Sequence, residues 1–391
     1  MLPDGWENRR LEEVCRLWNG KAYKKEELLE RGKYLVLRVG NFFTNDRWYY
    51  SDLELEDEKY CDDGDLLYAW SASFGPRIWN GGKVIYHYHI WKIAVDERLI
   101  DRDFLFHFLD WDAEQIKSSM GSGSTMIHVT KGAMEQRSIL LPPLDEQRRI
   151  AEVLRSVDEA IAAKHATLAA TKQFKRTCRE AAVIRFQDCA PTAMQDVLAS
   201  IDAGWSPDCE SEPANDGEWS ILKTSSVVWD GYDDGENKRL PPHLEQRPHL
   251  EVTANDILIT RAGPAERTGV VAIVRETAGR RMLSDKIIRL RVSPEKAVPL
   301  AIAELLSSDH VQSELIRSKS GMAASQTNIS QKIVLGLEMH LPSLTDQRDF
   351  ADEMAALQDA IELGEAELHD AQRLKAALMS DLLSGRVRVP A

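Results

Sequence analysis

The chain has 391 residues, 43% of them apolar and 29% charged, the composition of an ordinary folded protein of two or three domains. No stretch of about 18 consecutive apolar residues occurs, which excludes a helical bilayer span, and the opening MLPDGWENRR lacks the apolar core of a secretory leader, so a cytoplasmic location is the expectation. The net charge of −14 speaks on its face against a nucleic-acid partner, and five scattered cysteines (Cys15, Cys61, Cys178, Cys189 and Cys209) without CxxC spacing point to structural thiols over a metal or redox site.

In chain order, Tyr34-Leu35-Val36-Leu37-Arg38-Val39 and Asp65-Leu66-Leu67-Tyr68 read as strands. His87 and His89 form an HxH, but set among Tyr86, Tyr88 and Ile90 they read as strand residues. A helix-like stretch runs from Phe104 to Met120, followed by an uncharged loop, Gly121–Thr130. Leu141-Pro142-Pro143-Leu144 then opens a long helix, with Asp145-Glu146 in position to cap it and oppose its dipole. Its apolar positions Ile150, Leu154, Val157, Ile161 and Leu168 follow heptad spacing.

A second block follows the same order. Ile221-Leu222-Lys223-Thr224, Asp256-Ile257-Leu258-Ile259 and Lys286-Ile287-Ile288-Arg289-Leu290 are strand-like, and a helical stretch from Pro299 to Lys319 leads to the loop Gly321–Ser330. A second long helix has Thr345-Asp346 at its start and Phe350, Met354, Leu357, Ile361, Leu368, Ala371, Leu378 and Leu382 along one stripe. Two stripes with charged flanks favour mutual antiparallel packing as a two-helix coiled coil, rods of about 63 Å. Packing of each stripe on a globular core is the other reading.

The order is a repeat. LPPLDEQRRIAEVLRSVDEAI from Leu141 and LPSLTDQRDFADEMAALQDAI from Leu341 lie 200 residues apart and share 8 of 21 positions. Gly121–Thr130 aligns with Gly321–Ser330 and Lys175 with Lys375 at the same offset, whereas Gly64-Asp65-Leu66-Leu67 meets Asn255-Asp256-Ile257-Leu258 at 191. A drifting offset means insertions, hence loops that differ between the copies. The boundaries read as a domain over 1–144, a helix over 145–188, a second domain over 189–344 and a second helix over 345–391.

Charge and motif content narrow the function. From Trp70 to Ala94 there are Arg77, Lys83 and Lys92 and no acid, and from Arg261 to Arg291 there are 8 basic residues against 3 acidic ones, so an acidic chain still presents local basic strips. There is no GxxxxGK[ST], no GxGxxG between strand and helix, and no Asn/Asp-Pro-Pro-aromatic motif, so no site for a nucleotide or a methyl donor is expected. Glu54, Glu56, Asp57 and Lys59 could imitate a nuclease site, but nothing matches them in the second copy.

What remains is a pair of binding surfaces. Trp70–Lys83 combines aromatics with Ser71, Ser73, Arg77, Asn80 and Lys83, and its counterpart Thr260–Ala272 carries Arg261 and Arg267 among glycines. Such side chains donate to phosphates or base edges, and glycine lets backbone approach a duplex; solvated loops would look similar. Lys21 and Lys286 join this set, as do Ser124 and Thr125 in the first Gly/Ser/Thr loop and Gln326 and Thr327 in the second. Those two loops either contact DNA or join two helices, and contact is the expectation.

The whole pattern resembles the specificity (S) subunit of type I restriction–modification systems. The residues that carry the resemblance are LPDGWENRRLEEV at the start, Leu-Pro-Pro-Leu-x-Glu-Gln-Arg-x-Ile at the first long helix, the repeat of that order, and LKAALMSDLLSGRVRV from Leu374. Ser343-Leu344-Thr345-Asp346-Gln347 and a glycine on the second stripe, Gly364, depart mildly from it. The resemblance implies two similar α/β target-recognition domains separated by a long antiparallel two-helix coiled coil in a pseudo-twofold repeat. Each domain would read one half of a bipartite, asymmetric target in double-stranded DNA, and the helices would fix the half-site spacing. Gln147, Arg148, Gln347 and Arg348 would dock partners, namely two methyltransferase (M) subunits that modify adenine and restriction (R) subunits. S-adenosylmethionine, ATP and Mg would sit on those partners, and this chain would bind no cofactor or metal and have no catalytic residue. The alternatives are the specificity subunit of a related type II enzyme, a degenerate methyltransferase or nuclease, and a coiled-coil scaffold.

Overall fold

A computed structural model describes the chain except residues 1–2, 44–45, 72–73, 120–127, 230, 324–325 and 390–391; for 320–323 and 326 it describes the backbone alone. Two compact units divide it, Met1–His165 with Glu367–Ala391, and Ala166–Ala366. The division falls inside both long helices, so each unit holds segments of the two.

The first unit begins with β1 (Glu7–Arg10) and β2 (Cys15–Asn19). It continues through β3 (Tyr34–Leu37), β4 (Tyr49–Ser51), β5 (Tyr60–Cys61), β6 (Leu66–Ala69), β7 (Gly75–Ile78), β8 (Val84–Tyr86) and β9 (Ile90–Val95). Helix α1 (Arg102–Ser119) and β10 (Ser138–Leu141) lead to the long helix α2 (Leu144–Phe186). An antiparallel sheet of order β2-β9-β6-β7 adjoins a smaller sheet of order β4-β3-β8-β5, in which β3 and β8 run parallel. Strand β6, Leu-Leu-Tyr-Ala, is buried throughout, as a short apolar run in a central strand should be.

The second unit repeats this plan. It contains β11 (Pro191–Ala193), β12 (Leu198–Ala203), β13 (Ser220–Leu222), β14 (Asn237–Arg239), β15 (Ile257–Thr260), β16 (Val271–Ile273), β17 (Arg281–Met282) and β18 (Ile287–Val292). Then come α3 (Pro299–Leu306), α4 (Asp309–Ser318), β19 (Ser320–Ala323), β20 (Gln326–Asn328), β21 (Glu338–His340) and the long helix α5 (Leu344–Leu383). Its sheet order is β12-β18-β15-β16, beside β14-β13-β17 with β13 and β17 parallel. The offset of 191 is visible in the backbone: Gly64 and Asn255 both take a left-handed φ, +88° and +72°, at the turn that leads into β6 and β15. In each turn an aspartate caps the chain three residues back, Asp65 on the Asp62 N–H at 2.8 Å and Asp256 on the Thr253 N–H at 2.9 Å.

Three expectations are corrected. The stretch Pro299–Lys319 is two helices, broken where the Ser308 hydroxyl caps α4 by accepting from the Val311 N–H at 3.4 Å. His87 and His89 lie in the tight turn between β8 and β9, not in a strand. The cap of α5 is Ser343, whose Oγ accepts from the Asp346 N–H at 3.2 Å, because Thr345 and Asp346 already lie inside the helix.

Both readings of the long-helix stripes hold, over different stretches. Ile150, Ala151 and Leu154 of α2 and Met379, Leu382 and Leu383 of α5 enter the core of the first unit around Tyr68, Trp91 and Phe104. Ala182 and Phe186 of α2 and Phe350, Ala351 and Met354 of α5 enter that of the second. Within each unit the two segments run antiparallel: Phe186 meets Phe350 with ring centres 5.8 Å apart, Lys172 pairs with Glu365 at 2.7 Å, and in the first unit Lys164 pairs with Glu367 at 2.6 Å. Gly364 faces Leu168 with room for a methyl group, so it does not open the coil.

Lys175 and Lys375, aligned by the repeat, do one job in the two units. Lys175 is 8% exposed and joins Gln358 of α5 (2.8 Å) to Glu304 of α3 (2.9 Å). Lys375 joins Asp158 of α2 (2.8 Å) to Asp110 of α1 (3.1 Å). Positions 158 and 358 are themselves 200 apart. Each ammonium thus ties both long-helix segments of a unit to its domain helix.

Glu146, in the first turn of α2 as expected of a residue that opposes the helix dipole, is also 3% exposed and gathers three sequence motifs. Its carboxylate accepts two 2.6 Å bonds from the Arg388 guanidinium and one of 3.3 Å from the Trp6 indole. Hydrogen bonding from Arg388 is the main cause that holds Glu146 below the usual carboxylate range. The folded value lies below the unfolded one, so the pair adds stability above the unfolded pKa that is lost as pH falls through the folded one. Arg388→Ala should therefore cost about 1–3 kcal/mol at neutral pH, by stranding a buried carboxylate, and wild type and variant should converge in acid. Urea denaturation across pH measures this; equal stabilities at neutral pH would contradict it.

Candidate nucleic-acid interface

The central strands β6 and β15 end at equivalent places, and the residue after each is held by the same backbone bonds. Trp70 donates its N–H to the His89 carbonyl (3.0 Å) and accepts from Val129 (3.2 Å). Arg261 donates to the Lys286 carbonyl (2.8 Å) and accepts from Ile329 (2.8 Å). The matched pairs stand 191, 197 and 200 apart, so one frame carries different side chains: Trp70 and His89 in one unit, Arg261 and Lys286 in the other. Gly20 and Gly204 secure the frame from the neighbouring strand, for a Cβ at either would collide with the backbone carbonyl of Tyr86 or Leu283.

In the second unit the frame supports a cationic surface. The loop after β15 is closed by Thr260, which is buried; its hydroxyl donates to the Arg267 carbonyl and accepts from the Val270 N–H at 2.9 Å. Thr268 ties the same loop to the Pro264 carbonyl at 3.0 Å, and residues 262–263 pair with β20. Arg267 and Lys286 are exposed and Arg261 is half-buried. Among the described residues no side-chain partner meets the cationic ends of these three. The other basic residues of Arg261–Arg291 are spent internally: Arg275 on Asp359 and Glu362, Arg280 on the Gly217 carbonyl, Arg281 on Asp234, Arg289 on Asp202, and Arg291 on Asp256. Gln326 lies in β20, while the Thr327 hydroxyl is occupied by the Gly263 carbonyl (3.2 Å) and Thr268 (2.9 Å). Thr327 therefore shapes the loop rather than presenting a free hydroxyl.

The first unit departs further from expectation. Trp70–Lys83 is not one loop: β7 runs back antiparallel to β6, with Leu67 opposite Arg77, so Asn80 and Lys83 lie at the far end of the strand from Trp70 and Ser71. Asn80 is exposed, Arg77 is exposed with its guanidinium 5.6 Å from the Phe42 ring, and the Lys83 ammonium lies 4.7 Å from the Tyr60 ring. Lys92 is taken by Asp65 at 2.6 Å and Lys21 by Glu27 at 3.2 Å, and Ser71 is buried in a bridge to His128. Ser73, Ser124 and Thr125 lie outside the described residues. The acidic cluster disperses, with Glu54 bonded to the Tyr34 hydroxyl at 3.1 Å and Lys59 to the Asn19 carbonyl at 2.9 Å.

Sequence reasoning missed the residues that occupy the Arg261 and Lys286 positions here. Trp70 meets the rings of His89 (4.9 Å) and His128 (5.9 Å), and Tyr88 meets His89 at 3.9 Å. Part of the signal was present: carrying the 191 offset past Leu67 places Trp70 on Arg261, whereas the 197 offset that matches His89 to Lys286 is visible only in the backbone pairing.

Gln147 and Gln347, expected to dock a partner, are 1% and 2% exposed and cannot do so from these positions. The Gln147 amide accepts from the Asp101 N–H (2.8 Å) and donates to the Leu99 and Pro142 carbonyls (3.0 and 2.9 Å). The Gln347 amide accepts from the Val298 N–H (3.0 Å) and donates to the Pro342 carbonyl (3.0 Å). Each fastens the first turn of a long helix to the residue before a domain helix. Arg148 and Arg348, one position on, are exposed.

Comparison with known proteins places this architecture. Residues 3–173 match the family model described as the type I restriction modification DNA specificity domain. The EcoEI specificity subunit of Escherichia coli is 41% identical over 152 residues, covering 38% of this chain and 25% of that protein. The MjaVIII specificity subunit of Methanocaldococcus jannaschii is 23% identical over 409 residues, covering 99% of this chain and 94% of that one. Residues 3–173 thus match the type I restriction modification DNA specificity domain, and the chain is similar to type I restriction enzyme specificity subunits over almost its whole length. The crystal structure of an S subunit from M. genitalium shares its fold, with a TM-score of 0.59 at 15% identity over 98% of both chains. The matched family model takes in the first copy, and the internal repeat extends the same plan to the second.

The buried amides generate a test. Gln347→Leu should leave the Val298 N–H unsatisfied and cost about 1–3 kcal/mol by urea denaturation. Arg348→Ala, on the surface, should stay within about 0.5 kcal/mol of wild type. A Gln347→Leu chain as stable as wild type would return Gln347 to a surface role.

Proposed function

We propose that this specificity subunit reads a bipartite, asymmetric sequence in double-stranded DNA, one half through each unit. The observation that carries the reading is the shared frame with unlike side chains: a target read by Arg261 and Lys286 differs chemically from one read by Trp70 and His89. Arg261, Arg267 and Lys286 suit phosphates and the acceptors of guanine in the major groove. The chain supplies no reacting group in this scheme. Adenine must leave the stack to be methylated, which divides the labour between a subunit that holds register and one that does chemistry. The partners are two methyltransferase subunits and the restriction subunits, which carry S-adenosylmethionine, ATP and Mg. Exposed Arg148 and Arg348 remain the residues through which the long helices meet them.

Methylome sequencing of cells with and without this chain tests the reading. The expected result is adenine methylation at a two-part non-palindromic motif that disappears with the chain; a palindromic motif, or one that persists, would refute it. In the assembled complex, Arg261→Ala and Arg267→Ala should each cost about 1–3 kcal/mol of discrimination at one half only. Equal losses at both halves would overturn the assignment.

A further inference from the structure

We propose that the ring cluster of Trp70, His89 and His128 is the specificity-determining surface of the first unit, and that it reads base edges by ring contact and imidazole hydrogen bonding instead of by positive charge. This rests on the reading of the chain as a DNA specificity subunit and says which residues of the first unit do the reading.

The first ground is position. Trp70 and His89 occupy, bond for bond, the places of Arg261 and Lys286. His128 joins them through the bridge that pairs it with Ser71. The second ground is how the cluster is built. Trp70 stacks at 5.9 Å on Trp91, which stacks at 5.9 Å on the buried Tyr68, so a column of rings rises from the core to the half-buried Trp70. The Trp70 indole N–H is spent on the Tyr88 carbonyl at 2.8 Å. The outer part of that ring therefore offers hydrocarbon, suited to an apolar feature such as a thymine methyl group. Polar recognition falls to the imidazoles, with His128 exposed and His89 half-buried beside it.

The third ground is electrostatic. Burial, followed by the His128 imidazole and Arg38, lowers the pKa of His89, and burial with His89 and Arg38 brings His87 down to about 4. A neutral imidazole offers one donor and one acceptor and releases no counterion from a phosphate. Lys92, the nearest lysine along the strand, is already held by Asp65. The surface is therefore built for discrimination between bases, with little contribution to phosphate binding.

The test uses the chain assembled with its methyltransferase partner and a set of duplexes in which each target position is changed singly. His89→Ala and His128→Ala should each lower discrimination about 5- to 150-fold at positions of one half, the half that Arg261→Ala spares. Trp70→Phe, which keeps the stack on Trp91 but loses the bond to Tyr88, should weaken the same half. Affinity should keep its wild-type slope against salt in the histidine variants, whereas Lys286→Ala should lower that slope by about one. His128 lies on the surface, so its variant keeps the test open should substitution at Trp70 or His89 prevent assembly. Unchanged discrimination in assembled His89→Ala and His128→Ala complexes would overturn the proposal while leaving the specificity reading intact, as would losses in the half that Arg261 reads. A wild-type complex without any sequence preference would remove both.

Discussion

A carboxylate and an amide on adjacent residues, Glu146 and Gln147, decide how the first long helix leaves its domain. The amide binds the backbone just before α1, and the carboxylate binds Arg388 near the end of the chain and Trp6 near its beginning. A buried group with this many bonds is costly to move, because each broken bond leaves a donor or acceptor without water. The second long helix repeats the amide at Gln347. Its first turn is capped by a serine, as in a stand-alone helix, where the first long helix has a proline. In the first copy the motif Leu-Pro-Pro-Leu-x-Glu-Gln-Arg is thus explained by architecture: proline and leucine turn the chain, glutamate and glutamine anchor it, and the arginine is exposed; the second copy keeps the glutamine anchor and has an exposed aspartate, Asp346, at the acidic position.

Fixed anchors allow the rest of each unit to vary. Buried Lys175 and Lys375 lock the helix segments to the domain helices, and Gly20 and Gly204 let neighbouring backbones meet. On this frame the chain after each central strand is held by two backbone bonds that make no demand on side-chain type. Side chains as unlike as tryptophan and arginine, or histidine and lysine, stand there in the two units on the same backbone bonds. Recognition surfaces can diverge between the copies for that physical reason, while the buried amides Gln147 and Gln347 and the buried lysines Lys175 and Lys375 are kept in both.

Much of this was legible in the sequence. The repeat, the central strands and the long helices follow from apolar period and from self-similarity, which are local properties of the chain. Arg261 and Arg267 stand out in the sequence because glycine-rich context and basic charge coincide there. What was illegible depended on pairing partners distant in sequence. Lys21, Lys92 and Arg289 are cations like any other until Glu27, Asp65 and Asp202 fold against them. Gln147 passed for a docking residue because its acceptor role requires the backbone of Asp101, 46 residues away. Asn80 and Lys83 passed for neighbours of Ser71 because a four-residue strand between them reverses the chain. Trp70, His89 and His128 include no lysine or arginine, so the equivalent surface of the first unit does not stand out as a basic strip in the sequence.

The central claim is that two copies of one frame read different sequences because different side chains stand at equivalent positions. A chain in which residues 189–343 replace residues 1–143, so that both long helices carry the second domain, tests it most directly when assembled with the methyltransferase and mapped by methylome sequencing. The account predicts a palindromic target built from two copies of the half that Arg261 reads. A target that stays asymmetric would contradict it.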